Sequence, residues 1–429
     1  MAKQYVQMGK DEQSQQLEIV RRQYEESKTL GLKLNMARGV PCIGQLELSR
    51  RMLDLVNSES STSGESSVEY ATYGLTPGIP EARRLMAELM DLECEQVLIG
   101  GTSSLNLMHD CLSFAYIHGV PGAPVPWGKL DNVKFICPVP GYDRHFSATA
   151  HFGFTLVPVP MLSTGPDMDI VEQLVRSDSS IKGMWNVPKY SNPTGITYSD
   201  ETVRRLANLQ PAASDFRLFW DDAYMVHDLD VDNPDRLLPI MPLLQKNGKQ
   251  DMLLAFASTS KITLPGSGIA AIGCSALNMD WLIKHISLQT IGYDKLNQLR
   301  HTRFLRSSEQ VREHMRKHAA LLRPRFELVD SILCDELGEL AIADWYKPNG
   351  GYFISYNVLP GCAARIVQLC AEAGAHFTPA GAGYPNNENP ENNNIRIAPT
   401  SPSLEDLSQA THLLANCTKI AALEKLLAI

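Results

Sequence analysis

The sequence predicts an α/β fold, in which a large domain with a mostly parallel, seven-stranded sheet is followed by a smaller α/β domain at the C-terminus. Three observations support this prediction. Seven short apolar runs alternate with helical patterns between residues 97 and 274, which is typical of a buried parallel sheet covered by helices. A long helical pattern then extends from Asp280 to about Leu337. Beyond it, residues 350–354 open a second α/β segment that ends in a helix starting at Leu404.

The elements before the first strand are mainly helical. Leu17, Val20 and Tyr24 lie near helical spacing in a charged segment, which indicates an amphipathic helix. A loop with glycine and proline follows over residues 35–44, and a serine-rich stretch covers 57–67. Helices are therefore expected over residues 11–30, 45–56 and 81–89.

The central strands are expected to be short and buried. The apolar runs that predict them cover residues 97–99, 134–137, 155–159, 183–187, 218–220, 253–257 and 270–274. A helix over residues 105–118 follows the first run. Strands that alternate with helices in this way favour parallel pairing.

The composition is that of an ordinary globular protein. Of the 429 residues, 44% are hydrophobic and 20% are charged, and this length suggests two or three domains. The net charge of −9 argues against a surface that binds nucleic acid. The sequence contains no run of 18 apolar residues, so we expect no transmembrane helix and no membrane partner.

The N-terminus and the cysteines indicate a cytoplasmic protein without a metal. The first residues lead into a polar segment that lacks the apolar core of a secretory signal. Nine cysteines are scattered without a CxxC pair, which fits reduced thiols better than disulfides or a zinc site. His314 and His318 have HxxxH spacing, but Arg316 and Lys317 between them would repel a metal ion. We therefore place this histidine pair on a solvated helix face.

One lysine is distinguished by the sequence around it. The motif Ser258-Thr259-Ser260-Lys261 follows the apolar run 252–256 and precedes Pro265-Gly266. A lysine on such a turn is withdrawn from water, which lowers its pKa and makes its amine nucleophilic toward aldehydes. Taken alone, a lysine beside serines is more often a surface residue, so the assignment depends on other motifs.

Two upstream motifs also end apolar segments, namely Asn192-Pro193-Thr194-Gly195 and Asp221-Asp222-Ala223-Tyr224. Pyridoxal phosphate is an electron sink that needs a lysine for its aldehyde and an acidic partner for its ring nitrogen. Lys261 and Asp221 are candidates for these two groups, and Asn192 and Tyr224 are candidate donors to the ring 3′-oxygen. Read singly, Asn-Pro is a strong turn signal and a strand-end aspartate is more often a helix cap.

Together these motifs resemble the class I and II aminotransferases of pyridoxal-phosphate fold type I. The resemblance extends from about Leu34 to about Thr400 and is nearest a divergent bacterial subgroup of aspartate aminotransferases. It implies a homodimer with its sites at the interface, and it selects Asp221 over Asp222 as the ring partner through the pattern Asp-x-Ala-Tyr. It also implies three regions. Residues 1–65 would form an N-terminal helix and a substrate-covering segment that packs with the small domain, 66–310 the large cofactor-binding domain and 311–429 the small domain.

Several residues are expected around the cofactor phosphate. The segment Gly101-Thr102-Ser103-Ser104 joins a strand to a helix N-terminus, where free N–H groups and the helix dipole favour an anion, although a capped turn is the plainer alternative. The resemblance places the phosphate cup here, adds Ser258, and implies that Tyr73 reaches the phosphate of the neighbouring subunit. Relatives carry an arginine shortly after the lysine, where this chain has Gly268, so other groups must meet the phosphate charge.

The resemblance also assigns the substrate side of the site. Tyr142 would lay its ring on the pyridine face, and Arg396 would pair with the substrate α-carboxylate, next to Asn192, because a planar guanidinium suits that task. The loop with Arg38 and Gly39 would close over the substrate. Arg38 or Lys295 could read a second carboxylate, and each could also be a solvated surface charge.

The sequence thus predicts an aminotransferase that transfers the amino group of L-aspartate to 2-oxoglutarate through a Schiff base on Lys261. Another amino acid, such as alanine or an aromatic one, and β-elimination are alternatives, because the motifs serve the cofactor rather than the substrate side chain. A MocR-type regulator with an aminotransferase-like domain is a third. About 30 residues precede the resemblance, too few for a winged helix, and an acidic chain disfavours DNA.

Overall fold

The computed structural model describes residues 4–65 and 68–428. Its helices are α1 (Lys10–Thr29), α2 (Ile43–Ser49), α3 (Pro80–Leu89), α4 (Ser104–His118), α5 (Asp143–His151), α6 (Met168–Ser177), α7 (Asp200–Asn208), α8 (Ile240–Lys246), α9 (Ala276–Gln289), α10 (Lys295–Leu305), α11 (Ser308–Leu337), α12 (Ala363–Glu372) and α13 (Leu404–Ala428). Its strands are β1 (Leu34–Asn35), β2 (Val97–Gly100), β3 (Lys134–Val139), β4 (Thr155–Leu162), β5 (Gly165–Pro166), β6 (Ile181–Asn186), β7 (Arg217–Asp221), β8 (Leu253–Ser258), β9 (Ala270–Cys274), β10 (Ala343–Trp345), β11 (Ile354–Val358), β12 (Ala375–His376) and β13 (Asn394–Ile397).

The central sheet confirms the predicted, mostly parallel architecture. Its strand order is β2-β9-β8-β7-β6-β3-β4-β5, and the five strands from β8 to β4 are parallel. Strand β9 is antiparallel to both neighbours, so β2 points the same way as β8. The seven predicted strands correspond to β2, β3, β4, β6, β7, β8 and β9. The eighth, β5, pairs with β4 over two residues, which is too short for a sequence pattern to indicate.

Apolar side chains cover both faces of this sheet. Phe135 and Phe219 lie on the face under α4 and α9, and Met184 and Leu218 lie on the face under α6, α7 and α8. Burial on both sides explains why the strands read as continuous apolar runs. The carboxyl ends of the parallel strands meet at one edge, which is the usual position of a ligand site in such folds.

The long helical pattern predicted over residues 280–337 is divided into α9, α10 and α11 in the structure. Each later helix begins at a side-chain cap. Asp294 Oδ1 accepts a hydrogen bond from Asn297 N at 2.9 Å, and Ser307 Oγ accepts one from Gln310 N at 3.3 Å. Such caps satisfy N–H groups that a helix start leaves unpaired. Likewise, the helix expected over 45–56 is α2 followed by a short 3₁₀ turn.

The smaller domain is built on the antiparallel sheet β10-β11-β13, which packs with α11, α12, α13 and α1. The hydroxyl of Tyr24 on α1 donates a hydrogen bond to Leu369 O on α12 at 2.9 Å. Leu34 of β1 pairs with Ala375 of β12. The N-terminal helix therefore lies against the small domain. The predicted division into three regions stays a prediction, and α11 continues across the boundary expected at residue 310.

None of the helices over residues 4–65 and 68–428 has the length and apolarity needed to cross a membrane. The same residues contain no group of three or more His, Cys, Asp or Glu side chains that could hold a metal ion. All nine cysteines carry free thiols.

Candidate active site

Lys261 lies on the turn between β8 and β9, at the carboxyl edge of the parallel strands. Its amine stands 4.9 Å from the centre of the Tyr224 ring and 6.0 Å from that of the Tyr352 ring. Burial lowers the pKa of the Lys261 amine, and the charge of Asp221 acts in the opposite direction. No described residue forms an ion pair with this amine. It is therefore a desolvated amine placed to act as a nucleophile.

The backbone next to Lys261 is held by buried histidines. His314 Nε2 lies 2.9 Å from Ile262 O and 3.1 Å from His318 Nε2. His318 Nδ1 lies 2.9 Å from Gln45 Nε2, so α2 and α11 are both connected to the lysine turn. Burial lowers the pKa of His318, which is 1% exposed, to about 3. The prediction that this pair lies on a solvated face is wrong, because α2 covers that face of α11.

Asp221 ends β7 and is buried beside a histidine. Its Oδ2 lies 2.9 Å from His145 Nε2, and the His145 ring stacks on Trp185 with 4.2 Å between ring centres. Asp221 Oδ1 is also enclosed, and no described residue donates a hydrogen bond to it. Leaving a buried carboxylate oxygen without a donor is unfavourable, so this atom marks a place for a ligand N–H.

His145 is a site residue that the sequence motifs do not indicate. A lone histidine carries no motif of its own, and its signal is its position three residues after Tyr142. Tyr142 directly precedes α5, His145 lies in its first turn, and their rings are 4.9 Å apart.

Asp222 lies in a different environment from Asp221. It lines a cavity of about 560 Å³ with Lys189 and Met225, and Lys261 does not line this cavity. Its Oδ1 is enclosed and has no hydrogen-bonding partner among the described residues. Burial, opposed by the charge of Lys189, raises the pKa of Asp222 to about 7. The two neighbouring carboxylates are therefore separated structurally.

Replacing Asp222 with asparagine is expected to stabilise the fold increasingly as the pH rises from about 4 to about 7. In that window the folded wild type keeps a proton that the unfolded chain has lost, so wild-type stability falls with pH. The gain should reach on the order of a few kcal/mol and level off above pH 7. Thermal melting of both proteins at several pH values measures it. A difference that does not change with pH would contradict the prediction.

Three residues predicted to surround the cofactor ring meet at the same edge. Asn192 is 4% exposed, and its Oδ1 accepts a hydrogen bond from Arg396 Nη1 at 3.2 Å. Tyr224 is buried below the lysine amine. Burial raises the pKa of Tyr142 to about 12 and that of Tyr224 well above its ordinary value. Both phenols therefore remain protonated and able to donate a hydrogen bond at neutral pH.

The residues predicted to bind the phosphate, apart from Tyr73, converge at the start of α4. Ser103 caps this helix, because its Oγ accepts a hydrogen bond from Leu105 N at 3.3 Å. Ser260 Oγ donates to Thr102 O at 3.2 Å and accepts from Ser258 Oγ at 3.2 Å. These contacts bring the lysine turn against the segment 101–104, whose helix-start N–H groups are suited to an anion.

Gly268, where relatives carry an arginine, lies close to this segment. A Cβ on Gly268 would lie 3.2 Å from Thr102 O and 3.3 Å from Ser260 N. Asn297 Nδ2 donates a hydrogen bond to Gly268 O at 3.0 Å and holds the backbone in place. The backbone is therefore tightly packed at this position, and the N–H and hydroxyl groups of residues 101–104 and 258–260 are available to an anion.

Arg396 on β13 approaches the site from the small domain. Its guanidinium lies 4.8 Å from the centre of the Phe353 ring. Nη1 donates to Asn192 Oδ1 at 3.2 Å, and Nη2 donates to Thr378 Oγ1 at 3.3 Å. Asp143 Oδ1 lies 3.3 Å from Nη1. The arginine is thus fixed by several weak contacts and has N–H groups that suit a carboxylate.

The loop with Arg38 and Gly39 borders the guanidinium of Arg396. Thr378 Oγ1 donates to Ala37 O at 3.0 Å. A Cβ on Gly39 would lie 2.3 Å from Phe353 Cζ, so the loop packs directly on that ring. The residues on either side of Arg38 therefore contact Thr378 and Phe353, the same two side chains that hold Arg396. Arg38 itself is exposed and forms no ion pair with the residues that the structure describes.

Tyr73 and Lys295 lie together elsewhere on the protomer. They line one surface depression, which Lys261 does not line. Tyr73 is 81% exposed, whereas Lys295 is 6% exposed and donates from Nζ to Gly74 O at 3.1 Å. Within one protomer the structure therefore does not bring these two residues to the lysine site.

Comparisons with known proteins are consistent with this geometry. Residues 8–428 match the family described as aspartate amino-transferase. An aspartate aminotransferase of Corynebacterium glutamicum is 44% identical over 407 residues, which cover 95% of this chain and 94% of that protein. A crystal structure of an aspartate transaminase from C. glutamicum has a TM-score of 0.96 and 42% identity, covering 99% of this chain and 100% of its own.

A more distant structure shares the fold. LysN, an α-aminoadipate aminotransferase of Thermus thermophilus that was solved in complex with N-(5'-phosphopyridoxyl)-L-leucine, has a TM-score of 0.72 and 20% identity. The match covers 95% of this chain and 95% of LysN. The architecture described above is therefore shared with aminotransferases of very different sequence.

Proposed function

Because this chain belongs to the aspartate amino-transferase family, we propose that it is an aminotransferase that uses pyridoxal 5'-phosphate to transfer the amino group of L-aspartate to 2-oxoglutarate. Membership of this family makes the protein an aminotransferase. We infer its cofactor and its substrates from the site. One observation carries the proposal. The free amine of Lys261, the unpartnered Oδ1 of Asp221 and the guanidinium of Arg396 are grouped at one edge of the sheet and the adjoining small domain.

The residues at this edge fit pyridoxal 5'-phosphate. Asp221 Oδ1, enclosed and without a donor, suits a protonated ring nitrogen, and His145 holds the other oxygen. Tyr142 would lie on the ring, while Asn192 and Tyr224 would bond to its 3′-oxygen. The N–H and hydroxyl groups of residues 101–104 and 258–260 would hold the phosphate. When bound, the cofactor supplies an electron sink for bond cleavage at the substrate α-carbon.

Lys261 would remove the substrate α-proton and return it during the reaction. Its lowered pKa increases the neutral fraction of the amine, which is the form that accepts a proton. The rings of Tyr224 and Tyr352 lie beside the amine and reduce its contact with water. Arg396 would hold the α-carboxylate, so that the bond to be broken has a fixed orientation.

A dicarboxylic substrate needs a second cation in addition to Arg396. Arg38 is supported by its place in the loop that packs on Phe353 and Thr378. Lys295 is the alternative cation. It lies beside the exposed Tyr73 and away from the Lys261 site of its own chain, so both residues would have to act at the site of a second subunit.

A homodimer would account for the exposed surface around Tyr73. Leu288 and Ile291 are 84% and 59% exposed, and Thr76 Oγ1 donates to Ile291 O at 3.1 Å, so these residues share one region. Exposed aromatic and aliphatic side chains grouped in this way favour a protein interface. In the proposed dimer, Tyr73 and Lys295 of one subunit approach the site of the other. Nine free thiols also fit a reducing compartment such as the cytoplasm.

Substitution of the two candidate cations tests the substrate assignment. We expect Arg38→Ala or Lys295→Ala to lower kcat/KM for aspartate by the equivalent of about 2–5 kcal/mol, because a dicarboxylate loses a charge partner. Alanine has no second carboxylate, so its kcat/KM should change far less. The variant that leaves the ratio of kcat/KM for aspartate to kcat/KM for alanine unchanged serves as the control for the other variant.

A second experiment mixes the cofactor-loaded enzyme with each amino acid in turn and measures how fast the absorbance of the cofactor changes. Aspartate and glutamate should give the fastest half-reactions. A preference of the wild type for a neutral or aromatic amino acid would refute the aspartate assignment, and release of ammonia would favour β-elimination instead. If neither substitution alters the aspartate-to-alanine ratio, the second cation lies elsewhere. The regulator alternative is disfavoured by the net charge of −9.

A further inference from the structure

We propose that Asp143 competes with the substrate α-carboxylate for Arg396 and thereby sets the affinity of the enzyme for its amino and oxo acids. The proposal rests on the proposed role of Arg396 and adds a residue that no motif selected. The two side chains form an ion pair, with 3.3 Å between Asp143 Oδ1 and Arg396 Nη1. They are 253 positions apart in the sequence and belong to different domains of the fold.

Apart from Asp143, the described side chains that contact Arg396 are uncharged. Asn192 and Thr378 accept its hydrogen bonds, and Phe353 lies against its face. Uncharged acceptors can remain in place when an anion arrives, because their partial charges repel it much less than a full negative charge does. Asp143 instead presents a negative charge to the same Nη1 that also bonds to Asn192.

The ion pair has the geometry of a contact that can be exchanged. Its length of 3.3 Å exceeds the range of about 2.7–2.9 Å for a tight charge-assisted hydrogen bond. It uses one oxygen and one nitrogen rather than a bidentate arrangement. The Asp143 side chain is 33% exposed, against 14% for Arg396. Asp143 can therefore turn toward water, whereas the arginine is held by its other neighbours.

The position of Asp143 is fixed by the helix that it starts. It is the first residue of α5 and directly follows Tyr142. A helix N-terminus favours negative charge, so Asp143 stays ionised next to the site even when its side chain turns away from Arg396. An incoming carboxylate must displace Asp143 or bind next to a like charge, and either event weakens its binding.

Titration of the cofactor-loaded enzyme with succinate measures this competition. Succinate carries two carboxylates but no amino or oxo group, so it binds without reacting. We expect Asp143→Asn, which keeps the size and removes the charge, to bind succinate at least about threefold more tightly in isothermal titration calorimetry. KM should fall for both the amino acid and the oxo acid. The gain should shrink at high salt, which screens a partly exposed pair.

Further variants make the outcome decisive. Asp131→Asn, at an exposed aspartate before β3, removes the same net charge and should bind succinate like the wild type. Arg396→Ala should bind it much more weakly. If Asp143→Asn binds succinate no better than the wild type, or less well, Asp143 does not compete and the inference is overturned. If Arg396→Ala binds succinate as well as the wild type, the proposed function of Arg396 is wrong instead. The substitution Asp143→Ser, which also removes the charge, repeats the test if the asparagine variant melts early.

Discussion

Replacement of Lys261 with alanine is expected to lower the transamination rate by at least about 10⁴-fold, the upper range for loss of a positioned proton-transfer group. Its amine is the desolvated, unpaired amine next to Tyr224. The buried lysines Lys182 and Lys189 cannot replace it, because Lys182 is paired with Asp215 and Lys189 with Asp228. Lys295 lines a depression that Lys261 does not line.

Lys249→Ala is the matched control for this experiment. Burial also lowers the pKa of Lys249, but its amine donates to Leu209 O at 2.7 Å, away from the site. This variant should retain wild-type turnover. Single-turnover kinetics with aspartate measure both proteins, and thermal melting shows whether each is folded. Borohydride treatment of the loaded wild type should fix the cofactor to Lys261, and a label on a different lysine would refute the assignment.

Asp221→Asn is expected to reduce turnover by at least about 100-fold, the scale for losing one preorganised electrostatic group at a reaction centre. Asparagine keeps the size and can still hydrogen-bond to His145, whereas it cannot hold a proton on the ring nitrogen through negative charge. The loss should appear in kcat for every amino donor, because the effect acts on the cofactor rather than on substrate recognition.

The neighbouring carboxylate gives the comparison for Asp221. Asp222→Asn makes the same isosteric change one residue away, in a cavity that Lys261 does not line. Its turnover should be close to that of the wild type while its stability changes with pH as described above. Equal losses in the two variants, or a larger loss for Asp222→Asn, would reverse the roles assigned to these aspartates.

The sequence was sufficient to predict the sheet and the family. Buried parallel strands are continuous apolar runs, so seven of the eight strands could be found from hydropathy alone. The motifs around Lys261, Asp221 and Asn192 could be recognised because each joins a strand end to a turn, where neighbouring residues in the sequence remain neighbours in space.

Contacts between distant segments could not be predicted in this way. His145 meets Asp221 across 76 positions, and Asp143 meets Arg396 across 253. Neither pair has a local pattern, because the partners are brought together by the sheet order and by the packing of the small domain.

The sequence by itself determined the α/β class and the order of the strands along the chain, and it predicted Lys261 as the reactive lysine. The tertiary structure alone decided which side chains share an environment. It buried His314 under α2 and made it a support for the lysine turn, and it closed the backbone at Gly268 against Thr102. The physical reason is that hydropathy and turn chemistry act between near neighbours in the chain, whereas burial, charge pairing and steric exclusion depend on which segments the folded core brings together.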